Sequence, residues 1–479
     1  MPLAQGSLHS HPPFSRPDGE AAPMRRVTLA VRQLMLALLL MLAAAQPAAA
    51  QQILRDSETE KLFNDMSRPL IEAAGLQPSN VRIVLINDPE INAFVAGGQI
   101  VYVHSGLITA ADNANQVQGV IAHELGHVVG GHVLRIQDGM RQATGITLLS
   151  LVLGGIAIAA GAGDAAMGAM ALGQQAALGQ FLAFTRAQES SADLAGASYL
   201  AKSGTSGRGL IDFFKKLQNQ EFRLAVYATD SYDRTHPLSS ERIASLTEVF
   251  TKDPAWNRAT DPALEARFQR VRGKLIGYLS NKEAVLRTYP KSDTSAPAHL
   301  ARAYAYHRMG DRDAALREAD ALLAKAPGDP FYLELRGQIL LESGKPTEAL
   351  APLRQAVAIA PDQPMIQSML GHALLATERQ DNLPEAERVL RASIGRDNEQ
   401  PFAWHQLGMI YDRKGDQPRA ALATAERYSL QGEPKLALAS AERAMRGIPR
   451  GTPDFLRAED IAMVSRHLVE RDKKNRRDR

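Results

Sequence analysis

The residues best suited to chemistry in this 479-residue chain are His123, Glu124 and His127, in the sequence His-Glu-Leu-Gly-His. The preceding stretch, Val117 to Ala122, is mostly apolar and contains no proline, so we expect the motif to lie within a helix. Two histidines four positions apart share one side of a helix and can bind one metal ion, while the adjacent glutamate can serve as a general base. The apolar flanks favour a metal site, because burying these groups without a partner costs several kcal/mol.

The composition narrows the chemistry further. Cysteine is absent, which excludes disulfides, thiolate metal ligands and cysteine nucleophiles. A metal would therefore be bound by histidine and carboxylate, a donor set typical of a catalytic zinc site. Lys plus Arg number 55 and Asp plus Glu number 52, a balance that argues against nucleic acid as a partner.

A catalytic zinc needs a third protein ligand and one open position for water. Glu189 is the best candidate from the sequence, and Asp193 lies one turn later on the same helical face, where it can hydrogen-bond a ligand histidine. His132 is an alternative, but on a continuous helix it lies about 140° from His127, so we expect it to face elsewhere.

The N-terminal region has the features of an export signal. A basic stretch after Met24 precedes an apolar run, Leu34 to Ala45, which is too short to span a bilayer. Ala48 to Ala50 then supply small residues typical of a cleavage site. We expect residues 1–50 to be a cleaved signal peptide, with Met24 as an alternative start and a retained membrane anchor as the alternative function.

Two segments of the remaining chain predict particular elements. Val81 to Ile86 and Ile91 to Leu107 have β character, with a Gly-Gly turn in the second, and predict a small sheet. Within it, Val95 to Val103 could form an edge strand that pairs with an extended substrate. The 22 residues from Gln142 to Gly163 are uncharged and long enough to cross a bilayer. Because glycines recur there, we expect a hairpin that is buried or in peripheral contact with a membrane, with a plain core helix pair as the alternative.

The C-terminal half repeats with a period of 34 residues. Pro330 and Pro364 are 34 apart, whereas Pro364 and Pro401 are 37 apart, which indicates a three-residue insertion between Glu378 and Pro384. Small residues and one full W-x2-L-G-x2-Y pattern recur in register with the prolines: Ala315, Ala349, Ala386, Ala420, Trp404, Leu407, Gly408 and Tyr411. This pattern is typical of tetratricopeptide repeats, in which two antiparallel helices approach closely at small residues.

Four sequence blocks, in order, resemble the M48 family of zinc metallopeptidases. They are NAFVAGGQIVYVHSGLI from Asn92, HELGH from His123, ESSAD from Glu189, and Thr235-His236-Pro237 with Glu241-Arg242-Ile243. The resemblance implies that His123, His127 and Glu189 bind one zinc ion and that Glu124 is the catalytic base. It also places His236 near or on the metal, where it takes part in catalysis or restrains it.

The resemblance and the repeats together predict a mostly helical α+β protein. We expect a zincin-like metallopeptidase domain with a small sheet at residues 51–261, an all-α repeat solenoid at 262–450, and a C-terminal helix with a basic tail at 451–479. M48 enzymes with this organisation are periplasmic, which implies an endopeptidase of outer-membrane protein quality control. Its expected partners are unfolded or misassembled outer-membrane proteins and the outer-membrane assembly machinery, recruited by the repeats. The alternative is a repeat-based chaperone or scaffold with latent or rare proteolysis.

Overall fold

The structure is a computed structural model, and it describes residues 52–159, 163–224, 236 and 239–477. The expected signal peptide, residues 1–50, lies outside the described residues, as do Thr235 and Pro237 of the Thr-His-Pro block. From Gln52 onward the chain forms one compact unit. Among the described helices, none combines the length and the apolar character needed to cross a bilayer.

The predicted small sheet is present and has four strands in the spatial order β1-β2-β4-β3. The strands are β1 (Ile53–Leu54), β2 (Arg82–Ile86), β3 (Ala93–Ala96) and β4 (Ile100–His104). β2 and β4 are parallel, and the other neighbouring pairs are antiparallel. Gly97 and Gly98 form the β3–β4 turn with φ of +62° and +95°, values that favour glycine, so the predicted Gly-Gly turn is confirmed. In this sheet β3 is an edge strand. The expectation of one edge strand from Val95 to Val103 is wrong, because the glycine turn divides that stretch and its second half lies in β4, between β2 and β3.

Helices pack on one face of the sheet around a shared core. They are α1 (Ser57–Ala73), α2 (Ser105–Ala110), α3 (Ala114–Gly130), α6 (Arg208–Leu224) and α7 (Ser240–Thr251), with a 3-10 turn at Pro78–Asn80. α3 is the central helix, buried from its first residue to His127. The Asn113 side chain accepts a hydrogen bond from the Gln116 amide and so starts the helix, and Gly131 ends it with φ of 61° and ψ of 29°.

The uncharged segment forms two long antiparallel helices, α4 (His132–Ala159) and α5 (Gly163–Ser203). Gly139 lies against Phe184, and Gly173 lies against Ser150, so small residues bring the two helices together. The predicted hairpin is therefore confirmed. The expectation that it could be buried is wrong for its described side chains, since many of its leucines are exposed.

The predicted repeat array is also confirmed as a series of antiparallel helix pairs. The helices are α8 (Pro262–Leu279), α9 (Lys282–Thr288), α10 (Ala296–Arg308), α11 (Arg312–Lys325), α12 (Pro330–Glu342), α13 (Pro346–Ile359), α14 (Pro364–Ala376), α15 (Leu383–Arg396), α16 (Pro401–Arg413), α17 (Gln417–Leu430), α18 (Pro434–Met445) and α19 (Pro453–Arg477). A Cβ on Gly337 would lie 2.5 Å from Leu353 Cγ, which shows why glycine recurs within a pair. A 3-10 turn, Gln380–Asn382, occupies the place of the expected insertion.

The sheet-containing part and the repeats share α8. Its residues Phe268, Val271 and Leu275 belong to the core beneath the sheet. The same helix places Arg270 against Asp329 at the start of α12, with Nη1 and Oδ2 2.7 Å apart. The expected boundary between the two domains, at residues 261 and 262, remains a prediction. Helix α8, which begins at that boundary, packs against both parts and so marks no clear division between them.

A buried ionic cluster joins α8 to the N-terminus of α1. Lys274 Nζ lies 2.9 Å from Asp56 Oδ1 and 3.1 Å from Glu58 Oε2, and the lysine side chain is 8% exposed. The Ser57 hydroxyl donates to Glu334 Oε1 of α12 at 3.1 Å. Burial, with the nearby Asp56 carboxylate, raises the pKa of Glu334 to about 8. Lys274 balances the negative charge of this cluster together with Arg270, whose Nε lies 2.8 Å from Glu58 Oε1.

We predict that Lys274→Ala lowers the free energy of unfolding by about 3 kcal/mol, because it removes the cation paired with Asp56 and one of the two cations paired with the buried Glu58. Urea denaturation followed by circular dichroism measures the loss. Lys252→Ala is the control, since its ion pair with Glu248 is largely exposed and should leave the midpoint nearly unchanged. Equal midpoints for the two variants would contradict the role assigned to Lys274.

Candidate metal centre

Helix α3 places the two motif histidines side by side in the protein interior. The Nε2 atoms of His123 and His127 are 3.1 Å apart. His123 is fully buried and His127 is 8% exposed. The i, i+4 spacing therefore brings both imidazoles to one point, as the sequence predicted.

Helix α5 brings Glu189 to the same point. Its Oε2 lies 3.4 Å from His123 Nε2, and its Oε1 lies 3.4 Å from His127 Nε2. The helices can approach this closely because position 126 is glycine: a Cβ there would lie 2.6 Å from the Ala192 carbonyl oxygen. This contact between the two backbones sets the distance from the histidines to the carboxylate.

His236 is the fourth group at the centre. Its Nδ1 lies 3.3 Å from His123 Nε2 and 3.2 Å from both carboxylate oxygens of Glu189. Its side chain is 7% exposed. The sequence left its position open, and the structure places it with His123, His127 and Glu189 in one group of convergent ligand atoms.

The opposite nitrogen of each imidazole has its own partner. His123 Nδ1 lies 2.9 Å from Asp193 Oδ1, and His236 Nε2 lies 3.2 Å from the Ala93 carbonyl oxygen of β3. His127 Nδ1 lies 2.9 Å from His132 Nδ1. A proton on each of these outer nitrogens leaves a lone pair on each inner nitrogen, the arrangement that metal-binding histidines adopt.

The arrangement fits a zinc ion. Zinc bonds to nitrogen and oxygen of about 2.0–2.1 Å in a tetrahedron require ligand atoms about 3.3 Å apart. The measured separations among the inner atoms of His123, His127, His236 and Glu189 run from 3.1 to 3.4 Å for the pairs described above. Three lone pairs and one carboxylate that converge in this way repel one another unless a cation lies between them.

The electrostatics of the centre show the same demand for positive charge. Burial alone would lower the pKa of His123, but hydrogen bonds with Asp193 and Glu189 outweigh it and raise the pKa to about 10. Burial and the charge of His123 lower the pKa of His127 to about 2. Although burial opposes the effect, His123 and His236 hold the pKa of Glu189 well below its usual range. A metal that binds here would displace the proton on the inner nitrogen, Nε2, of His123 and leave the outer proton on Nδ1 in place.

Glu124 lies beside the four convergent groups, and among the described residues none donates a hydrogen bond to its carboxylate. Its carboxylate is fully buried, and its Oε1 is 3.5 Å from His236 Nε2. Burial raises the pKa of Glu124 above its ordinary value, and the nearby histidines oppose that rise. A buried carboxylate with unfilled acceptor positions can accept a proton from a substrate water.

Two further residues at the centre depart from what the sequence suggested. His132 contacts His127, although a continuous helix would turn it away, because the left-handed Gly131 ends α3 and starts a new helix direction. Arg242 of α7 was not assigned a role. Its Nε lies 2.8 Å from Asp193 Oδ2, and its Nη2 lies 3.2 Å from Glu189 Oε2. The only indication of its role in the sequence was its place in the Glu241-Arg242-Ile243 block that resembles the M48 family.

Comparison with known proteins agrees with this geometry. Residues 54–249 match the model of peptidase family M48. The metalloprotease LoiP of Escherichia coli is 30% identical over 202 residues, which cover 41% of this chain and 73% of that protein. The chain belongs to peptidase family M48. It is therefore a metallopeptidase.

Longer M48 relatives extend the similarity through the repeats. The beta-barrel assembly-enhancing protease of E. coli is 27% identical over 435 residues, which cover 88% of this chain and 85% of that protein. The enzyme of the same name from Yersinia pestis is 25% identical and covers 90% of this chain and 88% of its own length. Among solved structures, the TPR protein YrrB covers 37% of this chain and 92% of its own, at 19% identity and a TM-score of 0.30.

We predict that Gly126→Ala separates the two helices of this M48 centre. The added Cβ would collide with the Ala192 backbone, so we expect the free energy of unfolding to fall by about 1–3 kcal/mol and the metal content to fall with it. Gly145→Ala is the matched control, because a Cβ at that helical position meets nothing within 4 Å. Unchanged metal content and stability in the Gly126 variant would refute the close-contact argument.

Proposed function

We propose that this chain is a zinc endopeptidase of the periplasm that acts in outer-membrane protein quality control. The observation that carries the proposal is the convergence of His123, His127 and Glu189 beside the buried carboxylate of Glu124. In this proposal the first three bind one zinc ion, and Asp193 and Arg242 orient them. The bound zinc would supply a Lewis acid that lowers the pKa of water and polarises a peptide carbonyl.

Glu124 carries the proton in the proposed reaction. Its carboxylate accepts the proton of the attacking water and later donates it to the amine that leaves. A pKa raised by burial suits both steps, because the group must take up a proton and release it near neutral pH. Asp193 holds the proton on His123 Nδ1 throughout, which keeps His123 Nε2 directed at the centre.

The edge strand offers a place for the substrate backbone. Among the described strands, β3 pairs with β4 alone, and its Ala93 carbonyl accepts from His236 at the metal centre. An extended peptide can add to such an edge through backbone hydrogen bonds, with little dependence on sequence. In this proposal the selectivity comes from the repeat solenoid, which binds the substrate protein or the assembly machinery.

The choice of client rests on the longer relatives. The beta-barrel assembly-enhancing proteases match this chain over most of their length, and their name describes an action on β-barrel assembly. Misassembled outer-membrane proteins are therefore the clients we propose. Their location agrees with the export signal expected in residues 1–50.

We predict that Glu124→Gln keeps its metal and its fold but loses peptidase activity by a factor of at least about 100, because the amide cannot accept the proton. Casein hydrolysis and metal analysis on the same preparation test this. Glu72→Gln, an exposed change on α1, should match the wild type. Glu189→Ala should instead lose metal, since it removes a proposed ligand. Full activity of the Glu124 variant would refute the mechanism.

His236 suggests how the enzyme is restrained. In the structure its Nδ1 occupies the fourth corner of the ligand group, the position that a peptidase needs open for water. We propose that His236 closes the centre at rest and moves away when substrate or a partner binds. This position favours the second candidate function as well, a repeat-based chaperone or scaffold in which proteolysis is rare.

We predict that His236→Ala hydrolyses casein faster than the wild type at equal zinc content, because the fourth position stays open to water. The measurement is the initial rate with zinc determined in both proteins. His405→Ala, a change in the repeats, is the control and should leave the rate unchanged. Loss of activity with zinc retained would instead make His236 a group that stabilises the transition state, and no change would leave it without a role in restraint.

A further inference from the structure

The hairpin of α4 and α5 presents an apolar surface that none of the preceding functions uses. On α4, the side chains of Leu148, Leu149, Leu151, Val152 and Leu153 are each 51–60% exposed. The facing helix adds further exposed apolar residues, namely Met167, Leu172, Leu178 and Leu182. Exposed apolar surface of this density is rare on a soluble monomer and marks a surface that binds a partner.

The exposed residues of α4 cover a wide arc of the helix. At 100° per residue, positions 148 to 153 place their exposed side chains over about 200° of the circumference. A helix that docks on a globular protein buries a narrower stripe. A protein partner would therefore have to wrap around the rod, whereas lipid chains cover any contour without a complementary shape.

The remaining arc of α4 is used to pack against α5. Gly139 lies against the Phe184 ring, and Gly173 lies so close to Ser150 that a Cβ would be 2.0 Å from the Ser150 Cβ. Helices in membranes associate through small residues of this kind. Gln142 and Gln180 also meet across the pair, which satisfies polar side chains within the hairpin.

Apart from Asp164 at the start of α5, the charged residues of the hairpin lie at the end nearest the metal centre. Arg135, Asp138, Arg141 and Arg186 are exposed there, with Asp138 and Arg141 3.8 Å apart. Between Arg141 and Arg186 the sequence contains a single charged residue, Asp164. Charged and apolar residues are thus separated along the length of the hairpin rather than around its circumference. The arginines at the end near the metal centre complement anionic lipid headgroups.

The apolar part of α4 is longer than one leaflet is deep. From Gln142 to Ala159, where α4 ends, the helix advances about 26 Å, whereas half of a 30 Å hydrocarbon core is about 15 Å. We propose that the hairpin inserts from one side into an anionic membrane, with Arg135, Arg141 and Arg186 at the headgroups.

The insertion would hold the metal centre at the membrane surface. Glu189 follows Arg186 by three residues on the same helix, a rise of about 5 Å. Resting on the proposed function, the inference is that the enzyme cleaves segments of client proteins that emerge at a bilayer. It deepens that function by naming where the substrate is met.

Vesicle flotation tests the proposal directly. The full chain is mixed with vesicles of phosphatidylethanolamine and phosphatidylglycerol at 3:1, and the floated fraction is compared with that of a triple variant, Leu148→Ser, Leu149→Ser and Leu153→Ser. We expect the triple variant to float at least tenfold less than the wild type. The matched control replaces exposed apolar residues of α19, Leu456→Ser, Met463→Ser and Val464→Ser, and should float like the wild type.

A second comparison tests the arginines at the end of the hairpin nearest the metal centre. Arg135→Gln with Arg186→Gln should reduce flotation on the anionic vesicles and leave the weaker flotation on pure phosphatidylcholine unchanged. Equal flotation of the wild type and the leucine variant, or no flotation of either, would overturn the proposal. So would a wild-type dimer in lipid-free sedimentation that the leucine changes dissociate, because the surface would then be covered by a second copy.

The outcome is separable from the proposed peptidase activity. The leucine variant should hydrolyse casein in solution at the wild-type rate, and Glu124→Gln should float like the wild type. Failure of flotation with casein hydrolysis intact would reject the membrane surface alone. If the wild type floats but does not hydrolyse casein, the proposed function is rejected and the proposed membrane contact is retained.

Discussion

The metal centre depends on one close contact between two helices. Gly126 of α3 meets the backbone at Ala192 of α5, and a side chain at position 126 would not fit. A second glycine, Gly196, lies against the Ala122 carbonyl one turn further along the same pair. Two small positions thus hold the helices at a separation at which imidazoles from one and a carboxylate from the other reach a common point. A Cβ at position 126 would lie 2.6 Å from backbone and force the helices apart, whereas a Cβ at position 196 would lie 3.0 Å from the Ala122 oxygen and need a smaller shift.

Charge balance in the interior then determines what can occupy that point. The inner nitrogens and the Glu189 carboxylate demand a cation, while Asp193 and Arg242 hold the outer side of the centre in a fixed orientation. A comparable solution appears where the repeats join the sheet, since Lys274 pairs with Asp56 and Glu58 and Arg270 pairs with Glu58 as well. In both places a buried acidic group is retained only because a positive partner is close, as the cost of desolvation requires.

The same helices that hold the metal ligands extend away from the core as the hairpin. α5 carries Glu189 and continues to the exposed leucine-rich region, and α4 begins directly after the helix of the two histidines. A molecule that binds the hairpin therefore contacts the same two helices that adjoin or carry the metal ligands. Helix α8, with residues in the core beneath the sheet and a contact to α12, connects the repeats to the same framework.

Local patterns in the sequence were sufficient for the parts that depend on neighbouring residues. The i, i+4 spacing of His123 and His127 places both on one helical face, and the 34-residue period follows from helix pairs of constant length. Contacts between distant segments were not accessible in that way. Arg242 reaches Asp193 across 49 positions, and His132 reaches His127 only because Gly131 changes the chain direction. The exposure of the hairpin likewise depended on the tertiary structure. An apolar, glycine-rich helix has the same sequence pattern whether protein, lipid or water surrounds it.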